Sequence, residues 1–244
     1  MNFYIYDGSF PGLLTAVYHA FYNEEKPDNI LSSEVYKTGL FDNKIHIKTD
    51  TDKSDRVYQA IKDKISLYSL RKIYNTYLSE EANREILIYR YLILGFKLGK
   101  KIDKSLNNDI VDQLNKISSK VSKEKHLILG LLRFKKIKGD IYYAPVEPDY
   151  NIISLIAPHF AKRMADQNWI IHDCKRLIAA VFNQEEWILT EMKKHEELDY
   201  TEEETFYQKL WQGFYDNIAI ENRRNPRLQR QYMPRRYWKY LVEK

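Results

Sequence analysis

The residues whose types and spacing most clearly suggest chemistry lie in the segment 222–244, NRRNPRLQRQYMPRRYWKYLVEK, where eight Lys or Arg side chains accompany one acid. Tyrosine and tryptophan rings are interleaved with these cations. Cations bind phosphate oxygens with release of counterions, and aromatic rings stack on unpaired bases. This segment, the basic arm, therefore predicts contact with nucleic acid. The side chains expected to make that contact are Arg227, Arg230, Arg235, Arg236, Tyr237, Trp238 and Lys239.

The basic arm also has a purely structural interpretation. Residues 191–204 form a run rich in Asp and Glu that lies upstream in the sequence. Arginine forms good ion pairs with carboxylates, so this acidic run could neutralise the arm while the aromatic rings pack on the folded body. Sequence alone leaves open whether the arm is free or docked on residues 191–204.

A second candidate for chemistry is the stretch PHFAKRM, residues 158–164. His159 and Arg163 are four residues apart, so a helix would place them on one face, where they could clamp a phosphate. The alternative is that Phe160 is a core residue and that His159 and Arg163 are its solvated neighbours. The residues by themselves favour that second interpretation.

The third candidate is the sequence His172-Asp173-Cys174, which places a base and an acid beside a thiol, as nucleophilic catalysis requires. Successive strand residues point to opposite faces, so His172 and Cys174 can share a side that Asp173 cannot easily join. A lone cysteine at a strand end is more often a small buried hydrophobe. The pattern therefore favours a structural role for Cys174.

Other classes of site have no support in the sequence. Paired CxxC motifs, an HExxH motif, a GxGxxG motif and a P-loop are all missing, so we expect no metal and no cofactor. The single cysteine excludes an internal disulfide framework and suits a reducing compartment. The most apolar run, residues 86–96, is too short for a bilayer and contains Arg90. We expect a soluble cytoplasmic protein that makes no contact with a membrane.

The periodicity of the apolar residues predicts an α+β fold dominated by helices. A helical block over about residues 52–133 is expected between two β-containing parts, whose strands form one small, mostly antiparallel sheet. Residues 1–244 are expected to form a single domain that ends in the basic arm. A further helix should begin at a capping box, Thr201 to Glu204, and direct Phe206, Leu210, Phe214 and Ile218 inward.

Three stretches together resemble a bacterial family of DNA metabolism and DNA repair proteins. They are YDGSFPGLLTAVYHAFY near the start, PHFAKRMADQNWIIHDCKRLIAAVFN in the middle and NPRLQRQYMPRRYWKYLVE at the end. Members of that family carry a domain of unknown function. They tend to be encoded beside a radical-SAM protein assigned to DNA modification or repair, and the domain is also found fused to uracil-DNA-glycosylase-family domains.

The resemblance implies a DNA-linked role without established catalytic residues, and it strengthens the case for His159, Arg163 and the basic arm. Val242 stands where the family pattern leads us to expect Thr. The further positions that match the family's motifs are Asp7, Gly8, Phe10, Gly12, Phe160, His172, Asp173, Arg176 and Pro234.

The leading hypothesis is a nucleic-acid-binding accessory protein, with DNA as the expected nucleic acid, that works in DNA repair or modification with a radical-SAM partner. One rival is an enzyme acting on a nucleic-acid base or phosphate. It would require the fold to gather Asp7, His159, His172 and Asp173 in one cleft. A second rival is a protein-interaction adaptor whose basic arm meets an acidic protein surface without touching nucleic acid.

Overall fold

The computed structural model of the chain describes residues 1–37, 42–193, 201–218 (backbone only from 215) and 225–242. The contacts divide the chain into two compact units, residues 1–122 and 123–244, with the boundary inside a long helix. Each unit is described by itself. The expectation of one domain over residues 1–244 stays a prediction.

The first unit begins with three short strands and continues with helices. Its elements are β1 (Asn2–Tyr6), α1 (Phe10–Tyr22), β2 (Asn29–Ser32), β3 (Asn43–His46), α2 (Thr51–Ala60), a π-helical turn (Ile61–Ile65), α3 (Leu67–Leu78), α4 (Arg84–Leu98), a 3-10 helix (Gly99–Lys104) and α5 (Asp109–Leu131), which continues into the second unit. The predicted helical block over residues 52–133 corresponds to α2 through α5.

The strands of the first unit form a parallel sheet in the order β2-β1-β3. Tyr4 on β1 lies opposite Ile30 on β2 and Ile45 on β3. Parallel neighbours require crossover connections, and α1 provides one between β1 and β2. Leu13 and Val17 of α1 are fully buried in the same core as Tyr4.

The YDGSFPG motif forms the turn between β1 and α1. Ser9 caps the helix because its hydroxyl accepts from the Gly12 amide at 3.0 Å. The Asp7 carboxylate accepts from the Ser9 amide and hydroxyl at 2.9 and 2.7 Å, and from the Thr49 hydroxyl at 2.7 Å. Burial raises the pKa of Asp7, but these hydrogen bonds outweigh it and lower that pKa below its ordinary value. The positive φ of Gly8, 87°, suits a residue without a side chain.

The second unit contains a mixed sheet in the order β4-β5-β6-β7-β8, in which only the β5–β6 pair is parallel. Its elements are β4 (Lys135–Ile137), β5 (Ile141–Val146), α6 (Ile153–Arg163), β6 (Asn168–Asp173), β7 (Ile178–Phe182), β8 (Trp187–Glu191), α7 (Glu202–Ile218), α8 (Pro226–Tyr232) and a 3-10 helix (Arg235–Tyr240). Helix α6 crosses between the two parallel strands.

Aromatic stacking holds the core of the second unit together. Trp169 is fully buried and stacks on Phe182 of the neighbouring strand, with ring centroids 5.1 Å apart. Phe134 contacts both Trp169 and Phe160 edge to face. This places Phe160 in the core, as one interpretation of the PHFAKRM motif proposed.

The α+β class and the dominance of helices are confirmed, whereas the prediction of one mostly antiparallel sheet is wrong. The described strands form two sheets, one in each unit, and the first is entirely parallel. Strand β8, which the sequence analysis did not predict, pairs with β7. None of the described helices combines the length and apolarity that crossing a membrane requires.

Replacing Gly12 tests how far the first unit depends on the turn at Asp7. A Cβ at position 12 would lie 2.2 Å from Asp7 Oδ1 and 2.8 Å from Thr49 Oγ1, so the carboxylate must leave its donors. We expect Gly12→Ala to lower the free energy of unfolding by about 2 kcal/mol, measured by urea denaturation.

Gly130→Ala is the matched control, because a Cβ there meets nothing within 4 Å and Gly130 lies inside α5. Alanine is the better helix former, so this variant should be neutral or more stable by up to about 1 kcal/mol. Equal stability of the two variants would contradict the role given to the Asp7 turn.

Candidate nucleic-acid interface

The last part of the basic arm, residues 235–241, is docked on the rest of the second unit. Tyr237 and Leu241 anchor it, with side chains only 2% and 5% exposed. The 3-10 helix Arg235–Tyr240 follows Pro234 and presents Tyr237 inward. Residues 222–224 and 243–244 of the arm lie outside the described residues.

Glu124 of α5 is the acceptor on which the arm docks. Its carboxylate is 3% exposed and accepts from the hydroxyl of Tyr237. It also accepts from the backbone amides of Asp149 and Tyr150 at 2.8 and 2.9 Å, and Arg236 Nη2 lies 3.5 Å away. One buried carboxylate therefore joins the loop after β5 to the basic arm.

Further ion pairs and hydrogen bonds involve the same loop. Arg236 Nη2 lies 3.0 Å from Asp149 Oδ2. Lys239 and Tyr240 both bond to the carboxylate of Glu147, the tyrosine hydroxyl at 2.7 Å. The acids that these arm residues meet in the described part of the chain are thus Glu124, Glu147 and Asp149. Residues 194–200 of the acidic run 191–204 lie outside the described residues.

The pKa values of the arm reflect this docking. Burial raises the pKa of Tyr237 above its ordinary value, and the hydrogen bond to Glu124 adds to the effect. Burial and the Glu147 carboxylate likewise raise the pKa of Tyr240. Burial lowers the pKa of Arg236, but Tyr237, Asp149 and Glu124 outweigh it and raise that pKa. Both phenols therefore stay neutral, and the guanidinium stays charged.

Four arginines of the described arm are exposed, and Arg236 is the one that forms ion pairs with carboxylates of the body. Arg227 and Arg230 are exposed on α8, which Asn225 caps by accepting from the Leu228 amide at 3.0 Å. Arg235 is exposed too, and its guanidinium lies 5.7 Å from the centroid of the Trp238 ring. Arg235 is presented by the docked 3-10 helix and Arg227 and Arg230 by the helix that precedes it, and solvent-facing cations of this kind suit phosphate binding.

The rings of the arm divide between anchoring and exposure. Tyr237 is buried, so its ring is not accessible to a base, and it fulfils the anchoring role that the sequence analysis allowed for it. Trp238 is half-buried and donates from Nε1 to the Met233 carbonyl at 2.8 Å. Tyr232 at the end of α8 is 63% exposed and is the most accessible ring of the described arm.

The PHFAKRM motif lies on α6, where His159 and Arg163 are both exposed and Phe160 is buried. The helix continues through Pro158 to Arg163. His159 packs edge to face against Phe160, with ring centroids 5.1 Å apart. His159 and Arg163 are thus accessible for phosphate contact, and that contact stays a prediction.

His172 is fully buried and belongs to a hydrogen-bonded pair. Its Nε2 lies 2.9 Å from the Met192 carbonyl, which can only accept, so Nε2 carries the proton. Nδ1 then accepts from the Tyr143 hydroxyl at 2.7 Å. Cys174 Sγ lies farther from Nδ1, at 3.7 Å. Because Tyr143 occupies the lone pair of the imidazole, His172 is held as a structural group and is not poised as a base for Cys174.

Asp173 points away from His172, as strand alternation predicts. It is fully buried, forms an ion pair with Arg176 at 2.9 Å and accepts from the amides of Lys175 and Arg176. Arg176 also donates to the carbonyls of Pro148 and Asp149. This pair ties the β6–β7 turn to the same loop that Glu124 holds.

The structure does not supply the arrangement that the enzyme hypothesis required within the second unit. His159 is exposed on α6, whereas the buried side chains of His172 and Asp173 bond to different partners on β6. Asp7 belongs to the first unit and is occupied by Ser9 and Thr49. Within the described ranges, no three His, Cys, Asp or Glu side chains are arranged to hold a metal ion.

Glu124→Gln tests whether this carboxylate holds the arm. Each oxygen of Glu124 accepts from a backbone amide, so the NH2 group of glutamine would face one of these donors in a buried site. We expect the free energy of unfolding to fall by about 3 kcal/mol and trypsin to cleave within residues 227–239 faster than in the unmodified chain.

The matched control is Asp140→Asn, which removes an exposed carboxylate paired with Lys136 in the same unit. An exposed pair contributes about 0–1 kcal/mol, so stability and cleavage rate should barely change. Unchanged trypsin cleavage in Glu124→Gln would show that the arm is held by other contacts.

Comparison with known proteins gives a family but no activity. The sequence profile of a family described as a domain of unknown function, DUF4130, matches residues 82–243. The match spans α4, α5 and the second unit, including the basic arm, and leaves the Asp7–Gly12 motif outside. No curated protein matches this chain. The chain belongs to the DUF4130 family.

Proposed function

We propose that this protein is a nucleic-acid-binding accessory protein in DNA repair or DNA modification, and that it acts with a radical-SAM partner protein. The observation that carries the proposal is the docked arm with three solvent-facing arginines, Arg227, Arg230 and Arg235. The resemblance to DNA metabolism and repair proteins supports the choice of DNA.

The docked arm divides the basic residues into two groups. Arg236 and Lys239 have carboxylate partners on the loop after β5, so they hold the arm in place. Arg227, Arg230 and Arg235 remain exposed and can exchange counterions for phosphates. A segment that is already held in place also loses less conformational entropy on binding than a free segment does.

Accessible rings next to these cations favour an unpaired or distorted strand. The Arg235 guanidinium lies 5.7 Å from the centroid of the Trp238 ring, and Tyr232 is 63% exposed at the end of α8. Stacking of a base on such rings is worth about 1–3 kcal/mol and does not require a particular sequence. His159 and Arg163 would extend the phosphate contacts along α6.

Anisotropy titrations of single- and double-stranded oligonucleotides over a salt series test the proposal. The variant Arg227/Arg230/Arg235→Gln should bind more weakly than the unmodified chain. Its plot of log K against log salt should be shallower by about 2–3 units on duplex DNA, because each phosphate contact contributes about 0.9. Circular dichroism checks that the variant is folded.

A matched control removes the same charge elsewhere, through Lys62/Lys64/Lys101→Gln at three exposed lysines of the first unit. It should retain nearly all of the salt dependence. Equal losses of salt dependence in the two variants would show that the effect reflects net charge and not the arm. If the unmodified chain shows no salt-sensitive binding, the protein-interaction adaptor hypothesis replaces the proposal.

A further inference from the structure

Helix α7 exposes its large apolar side chains instead of burying them. The exposed fractions are 60% for Phe206, 52% for Leu210 and 56% for Phe214, with 63% for Tyr207 and 43% for Trp211. The prediction that Phe206, Leu210 and Phe214 face inward is therefore wrong, and the side chain of Ile218 lies outside the described part of the chain. Their spacing of four residues gives a continuous apolar stripe along a 17-residue helix.

A polar row attaches α7 to its own unit. Glu204 Oε2 accepts from the Lys136 amide at 2.9 Å, and its Oε1 accepts from Gln208 at 2.7 Å. Gln212 donates to the Val242 carbonyl at 2.9 Å. The Thr201 amide donates to the Lys136 carbonyl. Both residues of the expected capping box, Thr201 and Glu204, therefore bond to the backbone of Lys136 on β4. The described hydrogen bonds between α7 and its own unit are thus made by its polar side. An ordinary surface helix does the opposite, because it buries its apolar side and exposes its polar side.

The apolar stripe borders an open groove of about 660 Å³. Tyr207, Leu210, Trp211 and Phe214 line it from α7, and Arg133, Phe134 and Val242 contribute from other parts of the unit. Rows of exposed large apolar side chains are rare in monomeric proteins and mark surfaces that bind a partner. A groove of this kind, along a helix, suits an amphipathic helix.

The charges around the groove select its occupant. Glu202 and Glu203 are exposed in the first turn of α7, and Glu204 lies on the groove wall, to which Arg133 also contributes, so acids outnumber cations three to one. In the sequence these residues end the acidic run 191–204. Such a rim repels phosphates and favours a ligand with Lys or Arg beside its apolar stripe.

We propose that the α7 groove binds an amphipathic helix of a partner protein whose apolar stripe is flanked by basic side chains. A second copy of α7 is a poor occupant, because its first turn brings the same acids. This inference is independent of nucleic-acid binding by the basic arm, since it rests on different residues and on charge of the opposite sign.

The test uses the full chain and two synthetic peptides of about 18 residues, long enough to match α7. Both carry one Leu stripe at helical spacing; one has Lys beside the stripe and the other has Glu at the same positions. Binding is followed by isothermal titration calorimetry. The Lys peptide should bind at least tenfold more tightly than the Glu peptide.

Two variants locate the binding. Leu210→Glu should abolish binding of the Lys peptide, whereas Ile188→Glu, at another exposed apolar residue of the same unit, should leave it unchanged. Glu202→Lys/Glu203→Lys changes only exposed side chains and should reverse the preference between the peptides. This second variant tests the proposal even if Leu210→Glu does not fold.

Three outcomes would overturn the proposal. They are no binding of the Lys peptide, equal binding of both peptides, and binding that Leu210→Glu leaves intact while the variant remains folded. Sedimentation of the chain alone provides a further check, for which we expect a monomer. A dimer that Leu210→Glu dissociates would place a second copy in the groove and also contradict the proposal.

Discussion

A buried carboxylate that is ionised must be surrounded by donors, and Glu124 of α5 is the residue where this requirement organises the second unit. Its oxygens accept from two backbone amides of the loop after β5 and from the Tyr237 hydroxyl, and Arg236 lies beside it. Removing a charge from water costs several kcal/mol unless such bonds replace the lost hydration. The loop and the basic arm are therefore fixed together, since each supplies part of what the carboxylate needs.

This constraint explains why the basic arm is only partly available to a ligand. Tyr237 donates to the buried carboxylate of Glu124, and Arg236 and Lys239 form ion pairs with Asp149 and Glu147, so these three side chains hold the arm against the loop. The remaining arginines of the described arm, Arg227, Arg230 and Arg235, face solvent. A chain with a uniformly basic end by composition thus becomes a scaffold with an anchoring side and a binding side.

Local patterns in the sequence determined the elements that were predicted correctly, and distant contacts determined the rest. Thr201 as a helix cap and the alternation that separates His172 from Asp173 depend on neighbours only. The partnership of Tyr237 with Glu124 joins residues 113 positions apart, and no local pattern carries it. The parallel first sheet escaped prediction for the same reason, because strand partners are set by the crossovers that join them.

Helix α7 shows a different limit of sequence reasoning. Apolar periodicity predicted the helix, but periodicity states only that one side differs from the other, not which side meets the core. The polar side of α7 is the one that meets the rest of the unit. Glu204 bonds to β4 and to Gln208, and Gln212 bonds to Val242. Leaving five large apolar side chains in water forgoes about 25 cal/mol for every Å² that could have been buried. Burial against a partner would recover that free energy, so the orientation of α7 is explained best by an interaction outside the chain.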